Sequence, residues 1–286
     1  MVQSVVVGVD GSAASEAAAR WAAEQAHRTG RSLRMIHAGV PEARPAEQPA
    51  DRAESLPEPL RALRDRLASA LPESAVSCEQ VPGDPAYALV AAGERAGLLV
   101  LGSRGLGGFA GLLVGSVGLR AAAHAACPVV LVRAGADGEG GEDGEVVVGV
   151  EGGRPCDEVL AFAFEQAAGR GVRLRALQSS PPPAGPYDTE APLDQREIRD
   201  SLAASELVRL QDALGRWRDK FPAVPVEAEV TAAPAARALT EASRSASLVV
   251  VGRRLRHTRV AAPMLGPVTH AVLHHAHSPV AVVPHV

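Results

Sequence analysis

Residues 98–116 read LLVLGSRGLGGFAGLLVGS, an apolar run that breaks into glycine. Leu98–Leu101 has the unbroken apolarity of a strand buried on both faces. Val117–Ala126 behind the loop is again apolar-rich and predicts a helix. A strand therefore enters a Gly-rich loop and the loop enters a helix. Gly102, Gly105, Gly107, Gly108, Gly111 and Gly115 free the backbone for positive φ and clear the Cβ atoms that would hold a ligand away. Ser116 and the first amides of the helix offer donors to an anion, which the helix dipole favours. Amides curling around a concavity suit a di- or triphosphate.

Working outward, the same alternation recurs. Val5–Val9 is a β-branched strand ending at Asp10-Gly11-Ser12, a turn with two capping candidates. Ala14–Thr29 carries apolar residues at helical spacing, and Gly30 stops it. Ser32–Ala38 predicts strand two, Leu60–Leu71 a helix, Val76–Val81 strand three, Pro85–Ala96 a helix and Pro128–Val132 strand five. Ala43–Pro59, with four prolines, reads as a loop. Such alternation gives a parallel α/β sheet with right-handed crossovers. With strand order 3-2-1-4-5, the crevice opens between strands one and four. Asp10 and Gly102 then face one another there. Asp10 suits a ribose hydroxyl or a phosphate-bound metal; alternatively, Asp10 and Ser12 only cap the first helix.

The second half repeats the first. VVVGVDG (5–11) returns as VVVGVEG (146–152), GRSLRMIHA (30–38) as GVRLRALQS (171–179), and LLVLGSRG (98–105) as LVVVGRRL (248–255). GSVGLRAAAHAACPVVLV (115–132) returns as GPVTHAVLHHAHSPVAVV (266–283). The acidic, Gly-rich Gly135–Gly144 is the linker. The expected domains are residues 1–134 and 145–286, joined by 135–144. In the second copy, Pro181–Pro192 reads as a loop and Ser201–Phe221 as a long amphipathic helix.

Composition narrows the function. A net charge of −4 over 286 residues argues against a nucleic-acid partner. Lys220 is the sole lysine, so no lysine can grip phosphate from the Gly-rich loop. Cys78, Cys127 and Cys156 lack metal-ligand spacing and read as small buried side chains. No signal peptide or membrane-length apolar run is visible, so a cytoplasmic protein is expected. His270 and His274 stand four apart with His275 and His277 nearby. Without a catalytic Glu between them they read as surface histidines. His37, Trp21, Phe162 and Trp217 read as packed residues.

Here the residues resemble the universal stress protein family, in a tandem arrangement. Its signature, Gly, two residues, Gly, nine residues, Gly and then Ser or Thr, is matched by Gly102, Gly105, Gly115 and Ser116. Asp10 matches the aspartate closing strand one, and Ala38 the position facing adenine after strand two. The resemblance implies two Rossmann-like, adenine nucleotide alpha hydrolase-like domains, each a five-stranded parallel sheet with helices on both faces. It implies ATP, with Mg²⁺ or Mn²⁺ through the phosphates and Asp10, at Val9, Asp10, Ala38, Gly102, Ser103, Arg104, Gly105, Gly115, Ser116 and Val117. It also implies pairing of Pro128–Val132 with Pro279–Val283, within the chain or across a homodimer. The second copy departs: Leu255 replaces the second Gly, Pro267 the Ser and Glu151 the Asp, so no ATP is expected there. Arg253, Arg254, Arg256 and Arg259 would attract an anion or form a solvated basic loop. The expected function is a regulatory ATP-binding stress protein whose second domain is structural or docks a protein partner. A slow ATPase or phosphotransferase, and a nucleotide-free interaction scaffold, are the alternatives.

Overall fold

The computed structural model describes residues 4–40, 56–71, 75–103, 114–135, 144–152, 156–180, 193–255 and 264–286. The first half runs β1 (Ser4–Gly8), α1 (Ala13–Thr29), β2 (Leu33–Val40), α2 (Glu58–Ala70), β3 (Val76–Pro82), α3 (Pro85–Gly93), β4 (Ala96–Gly102), α4 (Ser116–His124) and β5 (Val129–Val132). The second runs β6 (Glu145–Val150), α5 (Asp157–Arg170), β7 (Leu174–Ser179), α6 (Leu193–Lys220), β8 (Val226–Thr231), α7 (Ala235–Ala242), β9 (Ala246–Arg254), α8 (Pro267–His275) and β10 (Val280–His285).

These strands form one sheet in the order β3-β2-β1-β4-β5-β10-β9-β6-β7-β8. Pairing within each half is parallel. At the centre β10 meets β5 antiparallel, with Val280 opposite Leu131, Ala281 opposite Val130 and Val282 opposite Val129. All six of these residues are buried. Each short strand therefore covers the edge the other would expose. Of the two expected arrangements, the pairing lies within the chain, not across a homodimer.

Alternate side chains of each strand feed two cores. Val5, Val7, Val100 and Val130 pack under α1 and α2, and their counterparts Val146, Val148, Val250 and Ala281 under α5 and α6. Val6, Leu99, Leu101 and Val129 face α3 and α4, as Val147, Val249, Val251 and Val282 face α7 and α8. Each fully buried Val or Leu contributes about 1.5–3 kcal/mol. Phe164 is fully buried and stacks on Trp217 and Phe221, with centroids 6.0 and 5.6 Å away. It lies deeper than Phe162, the residue the sequence singled out.

Several boundaries differ from the expectation. α2 begins at Glu58 rather than Leu60, because Pro59 fits a helix's first turn, where its missing N–H is not needed. α3 stops at Gly93, and Ala96 opens β4 instead of ending the helix. α6 begins at Leu193, ahead of the expected Ser201. The Gly135–Gly144 linker lies almost wholly, and the Pro181–Pro192 loop entirely, outside the described residues, as does most of Ala43–Pro59.

Two arginines tie the halves together on the α4/α8 side. Arg133, just after β5, donates to the carbonyls of Leu273 (3.1 Å) and His274 in the last turn of α8. Arg253, on β9, reaches back and donates to the carbonyl of Ala125, which caps α4. Each half thus places a cation at the negative end of a helix in the other. On the opposite side, the Arg170 guanidinium lies 5.2 Å from the ring centre of Trp21.

Candidate functional site at the end of strands one and four

The chain leaves β1 through Val9 and Asp10 and enters α1. Gly11 makes the turn at φ +84°, where a side chain would be strained. Ser12 is the N-cap: its Oγ accepts from the Ser15 amide at 3.1 Å. The Ser15 hydroxyl donates to the Ser12 carbonyl at 2.9 Å and accepts from the Asp10 amide at 3.3 Å. One Asp10 carboxylate oxygen accepts from the Ser12 amide at 3.0 Å. Asp10 therefore helps build the helix start, the structural role anticipated for it, while remaining half-buried at the crevice.

Gly102 meets this turn from β4. A Cβ built on it would lie 2.7 Å from the Ala14 carbonyl carbon and 2.8 Å from the Ser15 nitrogen. This corrects the expectation for Gly102: its φ is not positive, and the space is taken by the α1 backbone. Ser103, which follows, is buried. Its amide donates to the Val132 carbonyl and its carbonyl accepts from the Gly115 amide, both at 2.7 Å. Gly115 is the N-cap of α4, at φ −77° and ψ 159°, again not positive. Among the described residues, a Cβ on it would meet only the Ser103 carbonyl oxygen, at 3.7 Å. Being glycine, it gives the first turn of α4 no side-chain cap, so the amides of Ser116, Val117 and Gly118 receive no acceptor from that position.

The third wall is the end of β2. The Val9 amide donates to the Ile36 carbonyl at 2.8 Å, and the Val9 carbonyl accepts from His37 Nδ1 at 2.9 Å. His37 is thus bound to the backbone, and Ala38 follows it, half-buried. A chain of contacts from Asp10 through Ser15 to Gly102, and on through Ser103 to Gly115, joins the two loops singled out in the sequence. Arg104, Gly105, Gly107, Gly108 and Gly111 lie outside the described residues. Ser15 was missed; its signal was its place three residues after the Ser12 cap.

The second crevice is built differently. β10 runs on past the length of β5, pairing Val283 with Gly252, Pro284 with Arg253 and His285 with Arg254. The His285 ring lies against Gly252, and the Leu255 amide donates to the His285 carbonyl at 2.6 Å. Glu158, in the first turn of α5, is held below its ordinary value chiefly by the Cys156 thiol, with smaller help from His285 and the Val286 amide. Pro267 removes one amide from the first turn of α8. Glu151 pairs with Arg254 at 2.7 Å. Arg253 is buried, against the expectation of a solvated or anion-attracting loop, and burial lowers its pKa. Arg256 and Arg259 lie outside the described residues.

Among the described residues no group of three or more His, Cys, Asp or Glu could hold a metal ion. On α8 the His270 and His274 rings lie 4.6 Å apart. Burial first, then His270, His275 and Arg133, push His274 below its ordinary value. No described helix is long and apolar enough to cross a membrane.

The Universal stress protein family model matches residues 1–133 and 144–284. Universal stress protein Rv2005c of Mycobacterium tuberculosis is 33% identical over 290 residues, covering 97% of this chain and 96% of that protein. A universal stress protein of Mycolicibacterium smegmatis is 31% identical over 307 residues, covering 99% of each. Among solved structures, a universal stress protein from Archaeoglobus fulgidus matches 98% of both chains with a TM-score of 0.64 at 17% identity, a likeness of fold. Matched in both halves and by relatives of full length, the chain belongs to the universal stress protein family, with two such domains in tandem.

Proposed function

We propose that this protein is a regulatory stress-response protein that binds ATP in the crevice of its first half alone. The observation that carries the reading is the contrast at the two equivalent helix starts. Both helices are capped by a glycine that supplies no side chain, Gly115 at α4 and Gly266 at α8, but at α4 Ser116 follows the cap with its amide and its hydroxyl. At α8 a proline occupies that position and removes its amide, and the His285 ring lies against Gly252 at the end of β9. Phosphates would lie on Ser116, Val117 and the Gly-rich loop from Gly102 to Gly115, with Ser103, Arg104 and Gly105 in that loop. Val9, Asp10 and Ala38 would line the nucleoside side. A divalent Mg²⁺ or Mn²⁺ ion, when bound, would neutralise phosphate charge, and Asp10 would orient its water shell. The second half would serve as a structural partner and a docking face for another protein.

The test is calorimetric titration of ATP and Mg²⁺ into wild type and Gly115→Val. The space that the described residues leave at Gly115 predicts a folded variant whose ATP affinity falls at least about tenfold. Unchanged affinity would overturn the site. Asp10→Asn keeps an oxygen for the Ser12 amide, so it should weaken Mg²⁺-ATP more than it lowers the melting temperature. Mass spectrometry of nucleotide copurifying with the protein gives an independent readout.

A further inference from the structure

His270 and His274 are four residues apart on α8, a spacing that puts both side chains on one face of the helix. Their ring centroids are 4.6 Å apart and their planes are tilted by 38°. His270 is exposed and His274 half-buried. The Nε2 of His274 is buried, with no hydrogen-bond partner among the described residues. An imidazole ordinarily places both nitrogens on partners or in water, so this atom has an unmet interaction beside a second imidazole.

We propose that His270 and His274 form a two-imidazole site for a divalent transition metal, copper(II) foremost. Rotation of the two rings about χ2 brings one nitrogen of each toward a shared ion above the last turns of α8. Imidazole nitrogen suits copper, nickel and zinc, and copper stands highest in affinity for a given nitrogen site. No third His, Cys, Asp or Glu among the described residues completes a cage, so water fills the remaining positions. Arg133 holds the carbonyls of Leu273 and His274 in the same turn. Its charge makes the site weaker than an uncharged pair would be, and its hydrogen bonds tie the metal-bearing turn to the first half. The repeat supplies an internal control, since Leu119 and Ala123 stand at the matching positions of α4. One such site per chain is therefore expected.

The test is titration of copper(II), and separately nickel(II), into the full chain in a non-coordinating buffer. Heat and the copper electron paramagnetic resonance spectrum are the readouts. Wild type should bind one equivalent with a two-nitrogen signature. His270→Gln, at an exposed position, and His274→Gln should each weaken that equivalent at least about tenfold, while His275→Gln retains it. Equal binding by His270→Gln and wild type, or loss of the equivalent in His275→Gln, would overturn the assignment, as would wild type binding no tighter than the His270→Gln/His274→Gln double variant. Circular dichroism of each variant confirms the fold.

Discussion

The imidazole of His285 stands where a side chain on Gly252 would begin: its Nε2 is 2.9 Å from that Cβ position, and Val159 closes the space at 3.2 Å. The matching glycine of the first half, Gly102, is covered by the backbone of Ala14 and Ser15 instead. The two halves thus use one glycine for two purposes. In the first it seats the start of α1; in the second it accommodates the end of β10.

That difference sets the cost of adding a methyl group. Gly102→Ala must displace the backbone of α1, which cannot move alone, and should lower the unfolding free energy by about 3 kcal/mol. Gly252→Ala meets the far end of a side chain and should cost about 1 kcal/mol. His285→Ala in the Gly252→Ala background should recover part of that loss. Denaturant unfolding of the full chain checks the ranking, and equal losses at both glycines would contradict it.

Arg253 offers a second measurable asymmetry. It is buried, it donates to the Ala125 carbonyl in the other half, and its Nε has no hydrogen-bond partner among the described residues. Removing the charge relieves desolvation but leaves the Ala125 carbonyl without its donor. Arg253→Met, which keeps most of the volume, should therefore change stability by no more than about 1–2 kcal/mol. Arg253→Ala adds a cavity and should cost about 3 kcal/mol. Thermal unfolding monitored by calorimetry separates the two, and equal damage would show that the cap outweighs the packing.

The thiols carry a pH signature. Burial pushes Cys127 and Cys78 up from 9.0 to about 11, with desolvation the leading cause for both. At pH 8 their thiolate fraction should be lower by about a hundredfold than in the unfolded chain. Alkylation of the native protein should accordingly be slow at these two positions and fast in denaturant. A thiol whose folded pKa is raised stabilises the fold below the unfolded value and loses that contribution as pH rises. Stability should thus fall between pH 9 and 11, less steeply in a Cys127→Ala variant. Peptide mapping of alkylated cysteines across pH reads the first effect, and denaturation at each pH the second.

Much of the architecture was legible in the residues because parallel sheets mark themselves. Strands such as Val5–Val9 and Leu98–Leu101 are apolar on both faces, and glycine or proline punctuates the turns. The repeat of residues 115–132 in 266–283 exposed the duplication. Asp10 and Gly102 could be set in one crevice because topology alone brings the ends of strands one and four together. The limits of α3 and α6 were less readable. Ala96 suits a helix or a strand equally, and the sheet decided it; α6 continues to Leu193 beyond its clearest apolar periodicity.

By itself, the sequence determined the α/β class, the two copies and the family, since these rest on local periodicity and short-range spacing. Tertiary structure alone decided three things. It placed β5 against β10 within the chain, buried Arg253 beneath the other half's helix end, and put His285 on Gly252. Each joins residues more than thirty positions apart. Arginine or histidine looks the same in a string of letters whether water or a carbonyl lies beyond it. What fixes the outcome is which surfaces the folded sheet brings face to face.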